Sequence, residues 1–394
     1  MGVIAALMPA MGVVGPLLFG MGADALGLRG ALLRVACGGA CVGMGAIALA
    51  GALGVSLGFG ALFGAVLVFA LFRSPLVMMA DVVALEQAHS GGASYARVRS
   101  FGSLGFLVAA LFAGRMLDLQ DRVAVPFAVA AALLVALFAA WKLPARGVRP
   151  EIPVGDHARR LLGAPDFRLF LVTSFLAQCA SSNYDLCYSL HLRDLGWSGG
   201  RVGIAWAVGV VCEIALMVCS APILDRFAAA PLVALAMAAA AGRWALIAFA
   251  SSPGLVLAAQ ALNALTFALW WLASTAYTRK RAPLLALATA QGLFSAATGA
   301  GSVTGMLAWS ALYRRAGGEA TFSGAALVSA CACASALVWA RIGESSRTAP
   351  RPGAFGTATV EGAESVAAEG AAEAALDAPI GPPVAGDPGV LGSH

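Results

Sequence analysis

The sequence predicts an all-α membrane fold: a two-lobed helical bundle with eleven visible spans and two pseudo-repeated halves. Three observations carry that expectation. First, 60% of the 394 residues are hydrophobic and only 11% charged, where a soluble chain carries about 25% charged residues; in water so apolar a chain would expose very large patches. Second, the apolar residues recur in runs of about the 20 residues that a spanning helix needs. Third, the 47 glycines show no Gly-X-Y period, and they suit close packing between helices in lipid.

Taken in chain order, the runs cover approximately residues 2–22, 31–51, 54–80, 100–117, 124–142, 167–190, 202–221, 230–250, 254–277, 285–312 and 321–341. Short polar punctuation separates most of them. The glycine-dense join from Ala50 to Gly60 is the exception, because no charge marks it. Residues 1–142 thus form an N-terminal bundle of five spans, 143–166 a polar cytoplasmic linker, and 167–343 a C-terminal bundle of six. Beyond them, 344–394 is rich in Ala, Gly, Pro, Glu and Ser, a composition that predicts a disordered tail.

Basic residues set the orientation, since positively charged loops are retained in the cytoplasm. Placing the loop after the first span inside puts 17 of the Lys and Arg residues on that side or in the tail and 6 on the other, with Arg73 and Arg243 inside spans. A multi-pass protein of the cytoplasmic (inner) membrane with its C-terminus inside is therefore expected.

Composition also excludes classes. Only two of the 25 basic residues are lysines, and the cations are scattered, so no stripe suits nucleic acid. The eight cysteines lie within apolar runs and the four histidines are far apart, so neither a metal site nor any cofactor is expected. The chain shows no P-loop, nucleophile elbow or H-E-x-x-H, and an enzyme is not expected. A basic leader region is absent from the first residues.

Two weak echoes, each separated by about 200 residues, suggest an internal repeat of the kind transporters use. Gly20, Asp24, Gly27 and Arg29 follow the first span, and Asp225 with Arg226 follows the second span of the other half. Gly102, Gly105 and Gly114 correspond to Gly299, Gly301 and Gly305, glycines expected to let the halves approach closely. Because Asp225 follows two helices of its half and Asp24 only one, the first half is expected to lack a leading helix, twelve being the full number, with either a chain start placed too late or a naturally shortened chain as the reason.

The stretch Gly20 to Arg29 resembles the G-x-x-x-D-x-x-G-x-R loop of the major facilitator superfamily. Asp81, followed by Tyr95, Arg97, Arg99, Gly102, Ser103, Gly105 and Phe106, is similar to the Y-G-x-x-R-x-W-G-S-x-G-F stretch of the branch with nucleoside/proton symporter-like and phenylpropionate permease-like proteins. Trp206 to Ile214, Gly242 to Trp244, Gln260 to Phe267 and Ala290 to Phe294 follow the same branch in order. The sequence departs from it at Ala25, where Arg is common, at Phe101, where Trp is expected, and around Asn263 and Trp270, where histidines are frequent. The resemblance implies alternating-access transport of a small organic solute by a secondary transporter, with no nucleic-acid partner, the lipid bilayer as solvent and a monomer as the unit.

Ionisable groups inside spans are costly and are functional candidates by default. Glu213 and Arg243 are expected to pair and to couple protons to transport; a permanent structural bridge is the alternative. Gly20, Asp24, Gly27, Arg29, Asp81, Arg97, Arg99, Asp225 and Arg226 are gating candidates, or merely solvated loop charges. Asn183, Tyr184, Asp185, Tyr188, Asn263, Trp270 and Gln291 are substrate-binding candidates, with Trp270 and Trp271 alternatively interfacial anchors. A transport-inactive scaffold or sensor is the competing function.

Overall fold

The computed structural model describes residues 2–89, 94–118, 124–143, 154–250, 252–282 and 286–348; Arg122, Arg146, Arg149, Glu151 and the tail beyond 348 lie outside them. Among the described residues every regular element is helical. The N-terminal half comprises α1 (Gly2–Leu26), α2 (Arg29–Ala52), α3 (Phe59–Arg73), α4 (Leu76–His89), α5 (Tyr95–Asp118) and α6 (Ala124–Trp141). After α7 (Val154–Gly163) come α8 (Pro165–Asp194), α9 (Gly199–Cys219), α10 (Ala221–Arg226) and α11 (Ala229–Phe249). A split rod follows, made of α12 (Pro253–Ala261), a π-helical turn (Ala264–Leu269) and α13 (Trp270–Arg281), and then α14 (Leu287–Thr348).

Local chemistry explains the breaks. Gly27 ends α1 at φ 62°, and the Leu28 amide bonds back to the Ala23 carbonyl, a left-handed cap that glycine adopts without a Cβ penalty. Gly54, at φ 64°, supplies the break in the uncharged join between α2 and α3. Pro75 has no amide hydrogen, so the Leu71 carbonyl loses its helical partner; the Ser74 hydroxyl donates to it at 3.0 Å. The kinked pair α3 and α4 still counts as one apolar stretch, Phe59–Gln87.

Seven stretches among the described residues are long and apolar enough to cross a membrane: Arg29–Ala52, Phe59–Gln87, Ala124–Trp141, Gly199–Cys219, Ala229–Phe249, Pro253–Arg281 and Leu287–Ile342. The last would measure about 84 Å as one rod at about 1.5 Å per residue, far beyond a hydrocarbon core of ~30 Å. Gly317, at φ 74° and ψ −171°, divides it. The arms 287–316 and 318–344 lie side by side, since a Cβ on Gly324 would meet the Trp309 ring at 3.0 Å. Helix continues to Thr348, past the boundary expected for the tail. The stretch expected as a plain polar linker holds the amphipathic α7, which buries His157 and Leu161 and exposes Arg159 and Arg160.

In the first half α2 packs on α3 and α6, and α1 on α3; in the second, α9 packs on α12 and the π turn, and α11 on α13. The halves meet where α5 lies on α9 and where α1 lies on the first arm of α14. On this second seam a Cβ at Gly20 would meet the Ala288 carbonyl oxygen at 2.5 Å, and one at Gly292 the Pro16 oxygen at 2.7 Å. Gly299 makes the same kind of approach, to Gly12. The expectation for the other glycines needs correction: Gly301 and Gly305 approach α8 of their own half, Gly102 lies only against its own Arg99, and Gly105 faces open space. An apolar cluster seals the seam, joining Ala23, Leu33, Met79, Val82 and Leu85 of the first half to Met217, Leu272, Leu287 and Ala288 of the second. Outward-pointing Leu18, Val42, Phe138 and Leu327 are largely exposed, as side chains solvated by lipid are.

Candidate functional site

Between α5 and the second half lies a cavity of about 240 Å³ lined by Arg99, Gly102, Ser103, Phe106, Tyr184, Asp185, Trp206, Val210, Glu213, Asn263 and Phe267. Helical spacing explains the α5 contribution, because residues 99, 103 and 106 share one face. From α9 come Trp206, Val210 and Glu213, again about one turn apart. The wide π turn brings Asn263 and Phe267 to the same wall; such turns shift a helix face without ending the rod.

Glu213 is buried and held from both halves. One carboxylate oxygen accepts the Ser103 hydroxyl at 2.5 Å, and the other accepts the Asn263 side-chain amide at 3.4 Å. Arg243, fully buried, donates from Nη1 to Asn263 Oδ1 at 2.7 Å and to Thr266 Oγ1 at 2.9 Å, and from Nη2 to Gln260 Oε1 at 2.9 Å. Its guanidinium also lies 4.5 Å from the Tyr184 ring centroid and 4.6 Å from that of Trp244. The expected direct pair is therefore corrected: Asn263 stands between the two charges, accepting from Arg243 and donating to Glu213. Gln260 extends the network, accepting from the Tyr184 hydroxyl at 2.8 Å and donating to that of Tyr188 at 2.5 Å.

The substrate-binding candidates divide. Tyr184, Asp185 and Asn263 line the cavity. Tyr188 sits behind it with no exposed surface, and Asn183, equally buried, leaves both polar atoms of its side chain without a partner. Trp270 is packed among Phe167, Phe170 and Phe294 in the core of the second half, neither in the cavity nor at an interface. Gln291 is buried and donates to the Thr278 hydroxyl at 2.5 Å, also away from the cavity.

The gating candidates divide likewise. Asp24, 1% exposed, binds Arg29 Nη2 at 2.7 Å through one oxygen. Its other oxygen accepts the backbone amide of Thr289 at 2.6 Å and the hydroxyl of the same residue at 2.7 Å. A carboxylate from α1 thus caps the first turn of α14 across the seam, where unpaired amides and the helix dipole favour negative charge. Arg29 also pairs with Glu86 at the end of α4. Gly20 and Gly27 belong to this latch, the first by close approach and the second by ending α1. Asp81 is buried against the Tyr95 hydroxyl, the Trp271 indole and the charge of Arg99, and the Trp271 indole donates to Tyr95 at 3.1 Å. Arg97 is exposed and stands outside that cluster. Asp225 and Arg226 are exposed too, with Arg226 over the neighbouring Phe227 ring, so the second-half echo makes no counterpart of the Asp24 latch.

A different cross-link holds the second half. Asp166, at the start of α8, accepts from Arg281 Nε at 2.9 Å and from the Tyr277 hydroxyl at 3.0 Å. Burial pushes its carboxyl up, but the Arg281 hydrogen bond and charge, with Tyr277, outweigh burial and hold it below its ordinary value.

Sequence reading passed over Ser103, Gln260, Thr266 and Trp206, although each lies in a stretch that carried the resemblance, and it had no signal at all for Thr289.

The comparisons with known proteins agree with this architecture. A family model described as MFS_1 like family matches residues 1–323. The chain is 27% identical over 219 residues to the uncharacterized transporter YwbF of Bacillus subtilis, covering 55% of this chain and 54% of that one. It is 27% identical over 217 residues to the probable 3-phenylpropionic acid transporter of Escherichia coli, covering 54% and 57%. The chain thus spans about half the length of the curated relatives it matches. A crystal structure of the fucose:proton symporter of E. coli superimposes with a TM-score of 0.66 at 16% identity, over 86% of this chain and 90% of that one.

Proposed function

Because the chain belongs to the MFS_1-like family of membrane transporters, we propose that it moves a small organic solute across the cytoplasmic membrane by alternating access and couples that movement to protons at Glu213. One observation carries the proposal: the Glu213 carboxylate lines a cavity between the halves and takes one of its two hydrogen bonds from Ser103 of the opposite half. Rocking of the halves separates α5 from α9 and withdraws that hydroxyl. A carboxylate left in a low-dielectric site without its donor must find a new partner, and a proton is the available one. Arg243 stays with Asn263, Thr266 and Gln260, all of its own half, so its position is kept while that of Glu213 changes.

The latch of Asp24, Arg29, Glu86 and Thr289 acts on the face assigned by the basic loops to the cytoplasm. Closed as it is here, it holds that face shut, and solute reaches the cavity from the other side. Opening it breaks two charge-assisted hydrogen bonds and parts the apolar cluster around Ala23, Met79, Leu287 and Ala288. The relatives are named for 3-phenylpropionic acid and for fucose with a proton, so they differ in solute and agree on carrying a small organic molecule.

Counterflow in proteoliposomes tests the proposal: vesicles holding the full chain and loaded with unlabelled solute are offered the labelled form across a panel of sugars, nucleosides, organic acids and amino acids. Exchange of at least one solute above protein-free vesicles is expected. No exchange of any member would favour a transport-inactive scaffold.

A further inference from the structure

The cavity carries two charges that the proposed proton step does not use. Asp185 of α8 is exposed into it, and Arg99 of α5 faces it from the opposite half. Among the described residues neither has an opposite charge within the 4.0 Å of an ion pair. Arg99 Nε is, in addition, buried without a hydrogen-bond partner. Glu213 differs, since both of its oxygens already accept hydrogen bonds. Between these two charges the wall is aromatic, formed by Phe106, Tyr184, Trp206 and Phe267, with Tyr184 and Trp206 in contact at 4.2 Å between ring centroids.

From this arrangement we infer that the solute is a zwitterion with an apolar, preferably aromatic, body: its ammonium pairs with Asp185, its carboxylate with Arg99, and its body lies on the rings. This rests on the transport reading above and narrows it to a substrate class. An anion alone would leave Asp185 without an ion-pair partner in a closed site, and a cation alone would leave Arg99 with only the carboxylates of Asp81 and Glu213, neither within ion-pair distance. Each unpaired buried charge is costly, which is how a polar site rejects a ligand lacking one group. The Tyr184 ring has Arg243 4.5 Å from its centroid, so it is a poor seat for a second cation, and the ammonium goes to the carboxylate. Since Arg99 and Asp185 belong to different halves, a molecule joining them also bridges the halves.

The test is isothermal titration of the purified full chain in detergent with three molecules sharing one phenyl body: L-phenylalanine, which carries both charges, 2-phenylethylamine, which carries only the cation, and 3-phenylpropionate, which carries only the anion. The expected result is that phenylalanine binds at least about tenfold more tightly than either. Asp185→Asn should abolish its advantage over 3-phenylpropionate, and Arg99→Gln its advantage over 2-phenylethylamine. The wild-type series decides alone if a variant does not fold. Equal binding of all three, tighter binding of either singly charged molecule, or no binding at millimolar concentration overturns the inference. The transport reading is scored separately: exchange of another solute without these affinities sinks only the zwitterion, and these affinities without exchange sink only transport.

Discussion

Thr289→Val isolates one strand of the latch. Valine keeps the shape of threonine and leaves the backbone amide that donates to Asp24 at 2.6 Å, but deletes the hydroxyl that donates at 2.7 Å. A hydrogen bond to a charged group contributes about 1.5–3 kcal/mol. When the seam opens, Asp24 becomes hydrated whatever residue stands at 289, so the loss falls on the closed state. With about 1.4 kcal/mol per factor of ten, the open population should rise by roughly 10- to 150-fold. Leu287, 1% exposed in the apolar cluster across the seam, provides the reporter. In a background cleared of the eight native cysteines, a Leu287→Cys chain should react with N-ethylmaleimide faster by that factor when Thr289→Val is added. An unchanged rate in a protein that melts normally would refute the claim that this contact holds the seam.

Three further outcomes follow from other contacts. Arg243→Met removes the donor to Asn263, Thr266 and Gln260 together; it should cost several kcal/mol and lower the melting temperature in detergent, and a variant as stable as the wild type would contradict the network. Gly292→Val puts a side chain into the Pro16 carbonyl, where even a Cβ has 2.7 Å; it should keep α1 off α14 and raise the Leu287→Cys reaction rate, whereas a slower rate would place the seam elsewhere. Asp166 has a lowered pKa, so its pair with Arg281 and Tyr277 stabilises the fold fully above the ordinary carboxylate value of 3.8 and less as pH falls through the lowered one. Wild type should therefore lead Asp166→Asn in melting temperature at about pH 6 and lose much of that lead near about pH 3, and a constant lead would refute the assignment.

What could be read beforehand was local. The apolar runs gave the rods, because span length and composition are properties of contiguous residues. Asp24 and Arg29 were legible because the signature loop holds both within five residues and Gly27 turns the chain between them. Thr289 was not, since it meets Asp24 from 265 positions away and has no charge or periodicity to mark it. The partner of Glu213 failed for a related reason. Two opposite charges on adjacent helices invite a direct pair, but the π turn rotates Asn263 into the gap, and a turn that adds no glycine or proline leaves no trace in residue pattern. Tyr188, Trp270 and Gln291 show the limit of reasoning by residue type: each could bind a solute, and burial against Gln260, Phe294 and Thr278 takes each away from the cavity.

The central claim is that Glu213 carries the proton while the halves exchange faces around it. The most direct measurement is internal pH in proteoliposomes loaded with a pH-sensitive dye, recorded as transported solute is added to wild type and to Glu213→Gln, with counterflow run in parallel. Proton movement should accompany solute in the wild type and vanish in the variant, while counterflow persists. Proton movement that survives the substitution would contradict the account.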